Sequence, residues 1–169
     1  IENLLVDNIM MDGVLCPFIA NLYYFCGPKG DEKLVWDKNP YPISDITPAI
    51  RHLKFSNIIA TNVRASAGFF YGLAEMFVDD VSLDNISITM MEALEPGEPD
   101  MMANIKPVAA EGFYCNNVSN FSFNRVSVNN HIDSAFRVGK SENVEFTACK
   151  AISKRSNDEM VVMSCPDIT

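Results

Sequence analysis

The sequence predicts an all-β fold, a right-handed parallel β-helix (solenoid) of about five coils with long loops. Three observations predict it. A twelve-residue pattern, with apolar residues at relative positions 0, 2, 5, 7 and usually 10, returns five times along the chain. The step from position 2 to position 5 is odd, so a straight strand would turn the second apolar pair to the opposite face. Both pairs face inward only if the chain bends between them. Finally, the copies start 49, 28, 40 and 23 residues apart. The two shorter intervals suit one coil, and the longer ones suit coils carrying loops. An antiparallel sandwich also has many short strands, but it gives no reason for a corner residue to recur in register. A leucine-rich repeat would be shorter and more regular.

The first copy is Leu4, Val6, Ile9, Met11 and Val14, with Asn8 at the bend. Asparagine tolerates the left-handed backbone that such a corner needs. Residues 26–49 follow; Pro28, Pro40, Pro42 and Pro48 mark them as a long loop. The second copy is Leu53, Phe55, Ile58, Ala60 and Val63, with Asn57 at the corner. Residues 65–76, which contain Phe69, Phe70 and Tyr71, read as a shorter loop. The third copy is Val81, Leu83, Ile86, Ile88 and Met91, with Asn85 at the corner, and residues 92–112 form an acidic, Met-bearing loop after it. The fourth copy is Phe121, Phe123, Val126 and Val128, with Arg125 at the corner and Asn124 just before it. The fifth is Val144, Phe146, Cys149 and Ala151, with Ala148 at the corner; position 10 decays in these copies to His131 and Lys154. No boundary between two domains is visible, so residues 1–169 read as one unit, and significant helix is not expected.

Composition narrows the function. Hydrophobic residues make up 48 % of the 169, with 11 Phe and 9 Met, which argues for a packed core. No apolar run approaches membrane-spanning length. A net charge of −9 argues against a nucleic-acid partner, and it gives an anionic polysaccharide no long-range attraction. Five cysteines without CxxC spacing make a zinc site improbable. Cys149 sits at an inward position as a small hydrophobe, and Cys16 and Cys26 are a candidate pair. No metal or cofactor is expected.

Particular strings carry a resemblance. The run NLLVDNIMMDGVLCPFIANLYYFCG, the DITPAIRHLKFSNIIATN after it, the FYGLAE turn and the VSLDNISITM coil together resemble polygalacturonase-type glycoside hydrolases of family 28. PGEPDMMANIKPVAAEGFYCNNVSNFSFNRVSV is similar to late coils of bacterial members. The resemblance covers the whole chain but only the C-terminal third to half of such an enzyme. It implies a pectin-lyase-like fold, a pectic or other plant polysaccharide as partner, and an extracellular or periplasmic location. GLAE departs from the family's usual Gly-Leu-Pro-Glu, which touches a turn more than chemistry. The family's Asn-Thr-Asp, Asp-Asp, Gly-His-Gly and Arg-Ile-Lys motifs do not occur here in context, and they would lie upstream of Ile1. An inverting glycosidase needs one carboxylic acid and one carboxylate about 6.5–9.5 Å apart, so this chain alone is expected to be inactive, with no catalytic residue assigned to it.

The tempting residues divide. Asp79-Asp80 imitates the family's acid pair, but Asp80 belongs to a polar strand-opening column with Asn3, His52, Asn120 and Asn143. His52 and His131 read as structural or exposed, and Arg51, Lys54, Arg125 and Arg137 as a solvated face rather than uronate ligands. Packing under a loop is the default for Phe69, Phe70 and Tyr71. Tyr24 closes the Pro-x-x-x-x-x-Tyr pattern of PFIANLYY, which in similar enzymes projects beside the scissile bond. The resemblance therefore makes Tyr24, Asn21 and Tyr23 candidate substrate-binding residues. Trp36, alone of its kind in the long loop, suits either sugar stacking or loop anchoring.

The leading expectation is thus the C-terminal β-helix part of a polygalacturonase-like hydrolase. The rival is a non-catalytic β-helix for carbohydrate binding or assembly, as in adhesins or tailspikes. A pectate-lyase-like reading is weaker, because no acidic cluster for calcium is evident. A coil open at its N-terminal end would also expose Leu4 and Val6, which predicts a homo-oligomer joined there.

Overall fold

Residues in the left-handed region articulate the strands at intervals of five. The computed structural model describes residues 1–24, 30–99, 102, 104–155 and 160–163. The expected corner residues Asn8, Asn57, Asn85, Arg125 and Ala148 all have positive φ, between 51° and 58°. The strand-opening column does the same: Asn3, His52, Asp80, Asn120 and Asn143 lie between 49° and 59°. Gly13, Asn62 and Asn130 form a third column at position 9, with φ of 68°, 53° and 61°. Each such residue reverses the inward–outward alternation, which is why the apolar pattern keeps changing parity.

The third copy shows the rule by breaking it. It has no left-handed residue at position 9, so the alternation of Ile86 and Ile88 simply continues. Met90 is then the buried residue, at 1 % exposed, and it pairs with Val63 across a register shift. Met91, expected inward, is half-buried.

The strands in chain order are β1 (Glu2–Asp12), β2 (Ile19–Asn21), β3 (Arg51–Val63), β4 (Ser66–Tyr71), β5 (Val78–Met90), β6 (Glu111–Asn116), β7 (Val118–His131), β8 (Phe136–Gly139), β9 (Glu142–Thr147), β10 (Lys150–Ser153) and β11 (Val161–Met163). One helical turn, α1 (Lys33–Trp36), interrupts the first long loop. The first sheet runs β1-β3-β5-β7-β10, with β9 also paired to β7, and the second runs β2-β4-β6-β8-β11. Every pairing between these strands is parallel. The chain alternates between the sheets and adds the next strand to each as it goes.

Register follows the repeat residue by residue. Leu4 lies opposite Leu53, Leu53 opposite Val81, Val81 opposite Phe121, and Phe121 opposite Val144. Ile9, Ile58, Ile86 and Val126 form a second row, and Met11, Ala60, Ile88, Val128 and Ala151 a third. In these three rows the residues of the second, third and fourth copies are buried, whereas Leu4 in β1 is 42 % exposed.

The second sheet is where expectation and structure part. Residues 65–76 read as a loop, yet Ser66–Tyr71 is β4, and all six residues are buried. A strand covered on both faces has no alternation to detect. Phe70 faces the main core, while Phe69 and Tyr71 join Tyr23, Leu73, Met102 and Tyr114 in a second apolar cluster. Gly112 is required where β6 passes β8, because a Cβ there would lie 2.0 Å from the Ala135 carbonyl oxygen.

Outside the first sheet, carboxylates hold the corners of the next copy. Asp7 accepts hydrogen bonds from Ser56 Oγ (2.6 Å) and Asn57 Nδ2 (2.9 Å). Asp12 accepts from Thr61 and Asn62, both at 2.7 Å, and Asp79 from Ser119 (2.6 Å) and Asn120 (2.8 Å). Asp84 accepts from Asn124 and Arg125. The Ser56, Thr61 and Ser119 hydroxyls, each helped by the neighbouring Asn amide, hold the Asp7, Asp12 and Asp79 carboxyls below their ordinary value.

Candidate functional site

After β2 the chain makes a tight turn in which the Asn21 side-chain oxygen accepts the Tyr23 backbone N–H at 2.7 Å. The turn separates the two tyrosines. Tyr23 goes into the second cluster, 1 % exposed and edge-on to Tyr71 at 5.4 Å. Its ring has no free face, which corrects its assignment as a substrate-binding residue and leaves it a packing role. Tyr24 stays 49 % exposed and pairs, antiparallel, with Met102 of the second long loop. Met102 is buried beside Tyr23, so one contact locks that loop onto the edge of the second sheet.

Two cavities flank this contact. One, of about 340 Å³, is lined by Tyr24, Asn21, Leu4, Leu53 and Phe55 among others, and opens where the main core meets β1. The other, of about 540 Å³, is lined by Trp36, Asp31, Glu98, Met102, Asn104 and Ile105. The structure therefore brings Asn21 and Tyr24 together at one cavity and sets Trp36 in the other, with Tyr24 and Met102 between them.

Trp36 ends α1 and is 42 % exposed. The next residue, Asp37, is buried and holds the loop. It accepts from Tyr41 OH (2.7 Å), Asn39 Nδ2 (2.7 Å) and Asn39 N (3.1 Å), and Lys33 lies 3.1 Å away. These donors, Tyr41 foremost, hold the Asp37 carboxyl far below its usual range. Lys38 sits over the Tyr71 ring at 5.3 Å, tying the loop to β4. Nothing in the spacing of the sequence announced Asp37 as the anchor. The cluster Asp-Lys-Asn-Pro-Tyr was its only trace.

A third cavity, of about 430 Å³, lies between the Ala74–Phe77 turn and the column Arg51, Asp79, Ser119 and Glu142. Next to this column His52 Nδ1 and Asp80 Oδ2 meet at 2.7 Å, both about half exposed. The two residues share the strand-opening column, and nothing in the sequence spacing marks them as a pair. Asp79 is taken up with Ser119 and Asn120, so neither carboxylate is assigned a catalytic role. Arg51 pairs with Glu2 and Arg125 with Asp84 on a solvated face, whereas Arg137, only 20 % exposed, pairs with Asp133 beside β8. His131 is buried in the core, at position 10 of its copy.

The Cys16 thiol donates to the Phe18 carbonyl, and Cys26, its candidate partner, lies outside the described residues. Burial pushes the Cys115 thiol up, and to a lesser degree that of Cys149. Among the described residues, no group of three or more His, Cys, Asp or Glu is placed to hold a metal ion. No protein-family model, curated protein or solved structure matches the chain.

Proposed function

We propose that this chain is a run of coils from a right-handed, pectin-lyase-like parallel β-helix, and that it binds pectic polysaccharide within a polygalacturonase-like glycoside hydrolase. The acid pair of the inverting mechanism would belong to earlier coils of such an enzyme. Alternation between two parallel sheets supports the helix, because parallel crossovers are overwhelmingly right-handed. The observation that carries the functional reading is the Tyr24–Met102 contact. It brings the two longest loops to one edge and leaves two exposed aromatic residues, Tyr24 and Trp36, beside open cavities. Exposed rings with a polar tip suit sugars, which offer C–H faces to the ring and hydroxyls to its edge. Extracellular or periplasmic placement belongs to the same reading.

Retention on insoluble pectin tests it. The chain is expected to be retained, and Tyr24→Ala with Trp36→Ala to abolish retention without lowering the melting temperature. No retention overturns the reading. A reducing-sugar assay on polygalacturonate addresses catalysis: this chain alone is expected to give no product. Turnover that disappears in Asp80→Asn would move the acid pair onto this chain, beside His52.

A further inference from the structure

Trp36 is the single tryptophan of the chain, and the loop that carries it is anchored at the next two residues. The adjacent Asp37 is buried under donors from Tyr41, Asn39 and Lys33, and Lys38 is pinned over Tyr71. An exposed indole on an anchored stretch of loop is a partly pre-organised platform, since the backbone beneath it has little freedom left to lose when a ligand stacks on the ring.

The polar groups around that platform define its ligand. Asp31, Glu98 and Asn104 line the cavity, and no Lys, Arg or His does so among the described residues. Ionised carboxylates only accept hydrogen bonds. A neutral sugar supplies hydroxyl donors to them and an apolar C–H face to the indole. A uronate brings a third negative charge beside Asp31 and Glu98, with no basic side chain among the described lining residues, on a chain whose net charge is already −9.

We propose that the Trp36 cavity binds a neutral, hydroxyl-rich sugar unit and discriminates against uronates. This rests on the polysaccharide-binding reading above and narrows it: at this cavity the polymer is met through neutral side-chain sugars and not through its galacturonate backbone.

A lone tryptophan makes the test direct. The whole chain is titrated with a neutral galactan oligosaccharide while Trp36 emission is followed. A saturable change is expected, with none from an oligogalacturonate of equal length at the same concentrations. Asp31→Asn combined with Glu98→Gln should weaken the neutral ligand about tenfold or more, by loss of charge-assisted bonds, and leave the emission of the free protein unchanged. Emission that ignores the neutral sugar, or that responds equally to the uronate, overturns the proposal. Pectin retention that survives Trp36→Ala removes this site but keeps the polysaccharide reading. Galactan binding without pectin retention does the reverse.

Discussion

The Asp7 carboxylate accepts a 2.9 Å hydrogen bond from the amide of Asn57, a left-handed corner residue 50 positions along the chain. The same arrangement recurs between Asp12 and Asn62 and between Asp79 and Asn120. One coil's carboxylate thus holds the next coil's bend, so local conformation and stacking are coupled.

Acid should loosen this coupling. The Asp7, Asp12 and Asp79 carboxyls are all lowered from an ordinary value of 3.8, so each binds a proton more weakly folded than unfolded. Their stabilisation is complete above about pH 4 and fades as the pH falls through the folded values. The melting temperature is expected to drop on acidification. A variant with Asp7→Asn, Asp12→Asn and Asp79→Asn should melt lower near neutrality and show a flatter acid profile. Equal slopes would contradict this account.

Left-handed corners without asparagine or glycine carry strain. Ala148 has φ of 51° and is exposed, so Ala148→Gly should stabilise the chain by about 1 kcal/mol. Asn57→Ala should cost about 1–2 kcal/mol, since it adds strain and removes the bonds to Asp7 and Asn85. Denaturant titration reads both, and opposite signs are the expectation.

At Gly112 the obstacle is space. An added Cβ would meet the Ala135 carbonyl at 2.0 Å, and backbone cannot step aside as a side chain can. Gly112→Ala is expected to destabilise by more than about 3 kcal/mol, the upper end of ordinary overpacking. Expression of a stable, cooperatively melting variant would refute it.

The neighbouring tyrosines should respond oppositely. Tyr23→Ala empties a buried ring site and is expected to cost about 3–5 kcal/mol. Tyr24→Ala removes a half-exposed ring and should change stability by no more than about 0.5 kcal/mol, while weakening retention on pectin. Thermal melts and retention measured together separate the two roles.

Tyr41→Phe removes the hydroxyl that donates to Asp37 at 2.7 Å. Trp36 emission anisotropy is expected to fall as the loop gains freedom, with the melting temperature of the coils unchanged. A constant anisotropy would mean that Tyr41 does not help to hold the Trp36 platform.

Most inward residues of the first sheet and its corner column at Asn8, Asn57 and Asn85 were legible in the sequence; the bends at the strand openings and at position 9, and the burial of Met90 in place of Met91, were not. The legible residues are periodic, and the odd step between apolar pairs allows only a bent chain. The register of Leu4, Leu53, Val81, Phe121 and Val144 was readable for the same reason. The second sheet was not: β4, buried on both faces, has no alternation to betray it and looks like a loop in sequence. The sequence offers both Tyr23 and Tyr24 as binding residues; only the turn at Asn21, whose side-chain oxygen accepts the Tyr23 N–H, shows one ring buried and the other exposed. The pairing of His52 with Asp80, the docking of Met102 and the anchoring of Trp36 by Asp37 and Tyr41 were likewise decided only in three dimensions. Backbone periodicity is a property of neighbours in sequence, whereas a cavity between two loops depends on where long, aperiodic segments come to rest.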